Sequence, residues 1–202
     1  MNEAIQELRE RTEATLPSFD ARAKAYCSDD NLRRLLASRG MNIDKAAAQL
    51  EKTLKWRETN HPEQMICQAC KEDPGAHDLR QVGIDSEYRP VFYACFSQAK
   101  ERTHGVWQHL VEKLEAVIRL RESLVGRFPQ LEQWVWIIDF HGFTFQDCEL
   151  GIARSVSALV EHYPERLHKM LFLDAPFIFG SAWRIIRAVL DEKTTRKVLA
   201  FH

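Results

Sequence analysis

A chain of 202 residues is long enough for one substantial core, or for a small domain beside a larger one. With 45% hydrophobic residues, 28% charged residues and a formal net charge of −1, it has the profile of a soluble globule and lacks the basic field that attracts nucleic acid. Its five irregularly spaced cysteines suit a reducing cytosol better than a secreted disulfide framework, the polar start MNEAIQELRERTEA is not a signal peptide, and no apolar run approaches the ~20 residues that cross a bilayer.

The first 27 residues read as a helical or flexible extension, and residues 28–62 as a helical module. Ser28-Asp29-Asp30 caps a helix that carries Leu32, Leu35 and Leu36 on one face and stops at Gly40. Asn42 or Asp44 caps the next helix, whose stripe is Ile43, Ala47, Leu50 and Leu54. Asn60-His61-Pro62 ends it. Residues 63–87 are mixed and polar, with Asp73-Pro74-Gly75 as a turn. They mark the seam with a larger domain over 63–202.

In that domain strands and helices alternate. Pro90 to Phe96 is apolar on both faces, as a strand covered on both sides must be. A long amphipathic helix follows, with Leu110, Leu114, Val117 and Leu124 on one face. Trp134 to Ile138 is a second two-sided strand, closed by Asp139. A helix from about Leu150 to His162 ends before Pro164. Met170 to Leu173 is a third strand, residues 182–190 a further helix, and Lys197 to Phe201 a fourth strand. The expected fold is α/β: a small helical module followed by a mainly parallel sheet flanked by helices.

No Gly-rich phosphate loop follows a strand and no G-x-S-x-G elbow occurs, which removes the commonest enzymes on such sheets. Asp139 and His141 stand at a strand's carboxyl end, where α/β folds place ligands. An acid–base pair there is one reading; an Asp that caps the loop, with Gly142 supplying a special backbone angle, is the plainer one. Cys67 and Cys70, with His61 and His77 nearby, match no strong zinc spacing, so no metal and no cofactor is expected. Trp134 and Trp136 share a strand face, which Ile138 continues. Phe177, Phe179 and Trp183 follow the third strand. An ordinary core is one reading of this aromatic load. A pocket covered by the amphipathic segment with Trp183, Ile186, Val189 and Leu190 apolar and Arg184 and Arg187 charged is the other. Between Glu165 and His202 seven basic residues face four acids, which suits either an anionic membrane or a solvated surface.

Several stretches together resemble the CRAL-TRIO family of lipid-exchange proteins. Asn31 to Gly40, Asp44 to Ala47 and Leu54-Lys55-Trp56-Arg57 are similar to its amino-terminal helical module. Arg89 to Tyr93 resembles its first strand, and Trp136 to Phe143 the second strand with its Asp-x-x-Gly-Phe exit. Tyr163 to Lys169, Asp174 to Phe179 with Trp183, and Leu190 to Lys197 are the most specific pieces. The similarity spans about residues 28–202. Family members continue with another strand and wrapping helices, so the domain over 63–202 looks truncated at its carboxyl end.

The resemblance implies a protein without catalytic residues that holds one hydrophobic ligand, such as phosphatidylinositol, between the sheet and a mobile helix and exchanges it at membranes. The implied pocket is Trp134, Trp136, Ile138, Met170, Phe172, Phe177 and Phe179. The implied gate is Trp183, Ile186, Val189 and Leu190, with Arg184 and Arg187 toward the membrane. In phosphatidylinositol-exchanging members a Glu after Tyr-Pro, a Thr and a Lys past the gate meet the headgroup. Glu165, Thr194 and Lys197 stand at those positions, and Arg39 joins them, although Gly40 replaces the basic residue that follows it in such members. Phosphatidylcholine-binding members carry small hydroxyl residues where Trp134 and Trp136 stand here. The expected partners are a lipid and anionic membranes in peripheral contact, with no nucleic acid, for a monomeric cytoplasmic protein. A lipid-regulated interaction module, or a hydrolase using Asp139 and His141, is the alternative.

Overall fold

The computed structural model describes residues 1–15, 20–102, 105–123, 132–144, 147, 161–189 and 192–201, with the side chains of residues 121–123, 181, 182, 185, 186 and 189 left aside. The chain forms two compact units. Met1–His61 with Glu161–Glu165 make the first, and Pro62–Val160 with Arg166–His202 the second.

Among the described residues the first unit has four helices: α1 (Asn2–Thr15), α2 (Ala21–Tyr26), α3 (Asp29–Ser38) and α4 (Ile43–Asn60). Their starts follow cap chemistry. Asp20 accepts from the amides of Arg22 and Ala23, Ser28 from Asn31, and Asn42 from Lys45. Gly40 at the end of α3 adopts φ +60°, the left-handed angle that suits glycine. Ile5 and Leu8 of α1 are buried with Leu32, Leu35, Leu36, Ala46, Leu50 and Leu54 in one core, so α1 is an integral helix of this unit. The loop Glu161–Glu165 completes it: the His162 ring stacks on Trp56 at 4.4 Å, and Tyr163 meets the same indole edge-on at 6.1 Å. Gln49 donates to the Glu161 carbonyl at 3.0 Å.

The second unit is a five-stranded sheet in the order β1-β2-β3-β4-β5, made of Arg80–Ile84, Pro90–Cys95, Trp134–Asp139, Leu167–Leu173 and Val198–Phe201. β2 to β5 are parallel, and β1 adds antiparallel to β2. Further helices are α5 (Gln68–Glu72), α6 (Val106–Ser123), α7 (Phe179–Val189) and α8 (Glu192–Thr195). On α6, Leu110, Leu114 and Val117 of the expected stripe are buried, and Val111 with them; Leu124 lies outside the described residues, as does the segment 150–160 of the helix expected before Pro164.

β1 corrects the reading of residues 63–87 as a mixed, polar seam. All five of its residues are exposed, the apolar Val82 and Ile84 included, and it carries a bulge between Gln81 and Gly83, so it is an edge strand that buries none of its side chains. Its connection to β2 is set by Asp85, whose carboxylate accepts from the amides of Glu87 and Arg89 at 2.8 Å each while Tyr88 takes φ +64°.

Candidate functional site

Lateral pairing sorts the sheet residues into two faces, because side chains alternate along each strand and paired neighbours project together. Phe92, Trp136, Met170 and Val198 lie in one row, and Ala94, Ile138, Phe172 and Ala200 in the next row of the same face. Trp134, two residues before Trp136, meets Phe92 edge-on at 6.3 Å, and the Arg166 guanidinium stands 5.8 Å over its indole.

The strand carboxyl ends of this face carry an aromatic cluster. Phe140 continues the alternation of Trp136 and Ile138, and its ring lies 5.4 Å from Phe96, 5.1 Å from Phe143 and 5.4 Å from Phe172. Phe179, the first residue of α7, enters the cluster at 4.5 Å from Phe140 and 5.4 Å from Phe172. One turn on, Trp183 meets Phe172 at 5.5 Å. The start of α7 is therefore pinned to the same face that carries the tryptophans. The edge-to-face angles are those aromatic quadrupoles favour.

Of the residues named from the sequence, Phe172, Phe179 and Trp183 lie together, and Ile138 and Met170 stand on the same face, half-buried. Trp134 and Trp136 are buried, and the indole N–H of Trp136 is buried with no hydrogen-bond partner among the described residues. Phe177 differs from its expected place in the pocket: it is 103% exposed in the turn after Pro176, with Ile178 beside it 41% exposed. Arg184 and Arg187 are exposed on α7. The side chains of Ile186 and Val189, and all of Leu190, lie outside the described residues.

The residues matched to a headgroup are distributed over both units. Arg39 and Glu165 belong to the first. Arg39 donates to Gln49 Oε1 at 2.5 Å, and Glu165 has φ +57°. In the second unit Lys197 Nζ donates to the Leu167 carbonyl at 2.7 Å, and the Lys197 amide to the Thr194 carbonyl at 3.0 Å. Lys197 thereby holds the turn out of α8 against the start of β4.

Asp139 works as a loop cap. Its carboxylate accepts from the Tyr93 hydroxyl at 2.6 Å and from the His141 amide at 2.8 Å. The Tyr93 bond and then the amide lower the Asp139 pKa. The same bond to Asp139, aided by burial, raises the pKa of Tyr93. Gly142 has φ +79°, and a Cβ there would stand 2.7 Å from Ser97 Cβ. Asp147 ties down the rest of the loop, accepting from Arg102 at 2.8 Å and the Thr144 amide at 2.7 Å.

The sequence pattern did not mark Phe140 and Phe143 as part of the site; extending the Trp134–Trp136–Ile138 alternation by two residues would have found Phe140. Among the thiols, Cys67, Cys70 and His77 converge with His109 of α6, not with His61, which contacts Arg22 at 2.9 Å in the first unit.

Residues 81–202 match the family model described as the CRAL/TRIO domain. Patellin-4 of Arabidopsis thaliana is 26% identical over 183 residues, which cover 86% of this chain and 33% of that protein. A CRAL-TRIO domain-containing protein of Schizosaccharomyces pombe is 29% identical over 186 residues, 85% of this chain and 41% of its own. The chain therefore spans less than half the length of these relatives. The crystal structure of Sfh5 superposes with a TM-score of 0.69 at 14% identity, over 98% of this chain and 80% of that one, a likeness of fold.

Proposed function

The chain belongs to the CRAL-TRIO family, and from that premise we propose that it holds one lipid-like molecule on the tryptophan-bearing face of its sheet, under α7, and exchanges it at membranes. The observation that carries this reading is the face itself. Trp136, Ile138, Met170 and Phe172 form an apolar surface on the central strands, α7 is pinned to it at one end through Phe179 and Trp183, and Ile138 and Met170 are only half covered. An acyl chain or polyene laid there gains about 25 cal/mol for each Å² of apolar area it removes from water. The buried Trp136 N–H, without a partner among the described residues, gives the same surface a polar donor suited to an oxygen acceptor on the ligand.

Membrane contact falls to the outer side of α7. Phe177 and Ile178 are apolar and exposed just before it, and Arg184 and Arg187 are exposed along it. This is the composition of a segment that seats in a bilayer interface with its cations toward anionic headgroups. Hinging at α7 then opens the face and releases the ligand. For a phosphorylated headgroup we assign Lys197 and Thr194 of the second unit as donors, on the family resemblance at those positions. Transfer of fluorescent phosphatidylinositol between vesicles tests the assignment: Lys197→Ala should lower it ten- to a hundredfold, as the loss of roughly 1.5–3 kcal/mol from a charge-assisted bond requires. Unchanged transfer removes Lys197 from the site, and no protein-dependent transfer of any lipid class removes the exchange function.

A further inference from the structure

Four side chains of the second unit that lipid exchange does not use meet at one point. Cys67 immediately precedes α5, Cys70 lies within it, His77 sits in the loop leading to β1, and His109 lies on the first turns of α6. Their ligand atoms all fall within 4.8 Å of one another. His77 Nδ1 is 3.4 Å from Cys67 Sγ and 3.4 Å from Cys70 Sγ, and His109 Nδ1 is 3.2 Å from Cys70 Sγ. A tetrahedral zinc ion with bonds of about 2.3 Å to sulfur and about 2.0–2.1 Å to nitrogen sets its ligand atoms roughly 3.3–3.8 Å apart. The three sulfur–nitrogen distances of 3.4, 3.4 and 3.2 Å are close to those edges, and no pair is more than 4.8 Å apart.

We propose that Cys67, Cys70, His77 and His109 form a closed, structural zinc site. The outer hydrogen bonds fit it. His109 Nε2 lies 2.7 Å from the Leu79 carbonyl, which accepts only, so the proton is on Nε2 and the Nδ1 lone pair points at the cluster. A ligating histidine oriented by a backbone carbonyl is the usual outer-shell arrangement. The Cys67 amide donates to Glu112 Oε2 at 2.7 Å, fixing the start of α5 on α6. Gly105, at φ +72°, leaves room for the His77 ring, since a Cβ there would stand 3.2 Å from His77 Cε1. Two thiolates and two neutral imidazoles neutralise a divalent ion, as burial of Cys67 and His109 requires. With all four positions filled by protein, no site is left for substrate, and the ion acts as a clip. It fastens α5 and the loop before β1 to α6, at the place where the edge strand buries none of its five residues.

The test is elemental analysis of the full chain purified under reducing conditions without chelator. The expected result is one zinc per chain, retained in His61→Ala and reduced at least tenfold in Cys70→Ser and in His109→Ala. Should those variants fail to fold, the natural sequence decides alone: stripped protein given Co(II) should show the intense visible bands of a tetrahedral thiolate site, and given zinc should take up one equivalent and gain melting temperature. Zinc below a tenth of an equivalent with no uptake of added metal, a different metal in the site, a Cys67–Cys70 disulfide in the reduced preparation, or full zinc in both variants would each overturn the proposal.

Discussion

Replacing Trp136 by Phe separates a ligand-facing role for this indole from a purely packing one. Its N–H is buried without a partner among the described residues, and leaving a buried donor unsatisfied costs about 1–3 kcal/mol. Phenylalanine removes that donor, while the smaller ring leaves a gap that costs about the same as other losses of a few buried core atoms, roughly 1–2 kcal/mol. The two effects offset, so the melting temperature of the ligand-free protein should barely move. Binding should change selectively. A lipid whose ester, aldehyde or hydroxyl oxygen accepts from the indole loses its partner inside the protein, again about 1–3 kcal/mol, and should bind roughly 5- to 150-fold more weakly. A pure hydrocarbon of similar length has no acceptor to lose and should bind within about twofold, since ~0.4 kcal/mol is the corresponding difference. Titration of Trp136→Phe and the natural sequence with an oxygenated lipid and a matched hydrocarbon reads both numbers. Equal weakening of both ligands would mean the variant only deforms the sheet. Equal retention of both would mean the indole never meets ligand, and the tryptophan face would have to be given up as the pocket.

The first unit should weaken in acid through His162, whose pKa burial depresses to about 4 against the 6.5 of a free imidazole. Between those values the unfolded chain binds the proton and the folded one does not, so stability present above pH 6.5 is lost as pH falls toward 4, on the order of 3 kcal/mol in all. Urea unfolding across that range should show the loss and His162→Gln should flatten it; a natural chain with no slope there would mean the imidazole is solvated. Gly142→Ala should cost about 2–5 kcal/mol, from the left-handed φ of +79° and the Cβ driven to 2.7 Å from Ser97, and an unchanged thermal midpoint would contradict the loop geometry. Phe177→Ser should leave stability untouched, the side chain being 103% exposed, yet weaken sedimentation with anionic vesicles roughly ten- to hundredfold if the ring inserts; equal sedimentation would refute the anchor.

The elements that were legible in the sequence are those whose residues state their own environment. Ser28 and Asn42 cap the helices they were expected to cap, and the two-sided apolar runs at Pro90, Trp134 and Met170 became the central parallel strands. β1 was not legible, because its two apolar residues, Val82 and Ile84, are separated by a glycine in a short polar stretch and lie exposed, and the strand takes its pairing from β2. The loop Glu161–Glu165 is bound to the first unit by Trp56 stacking on His162, a contact across more than a hundred residues that no local pattern encodes. His109 escaped for the same reason: it stands 39 residues from Cys70, and only the packing of α6 brings it in. Phe177 misled because an aromatic beside Phe179 shares its composition but not its face, α7 starting at Phe179 itself.

Native mass spectrometry of the freshly purified full chain tests the central claim most directly. The account predicts a population heavier than the chain by one lipid, released into organic solvent as a single apolar species and displaced when that lipid is offered on vesicles. A chain of bare protein mass, or of protein and metal alone, that also takes up no lipid from vesicles would contradict it.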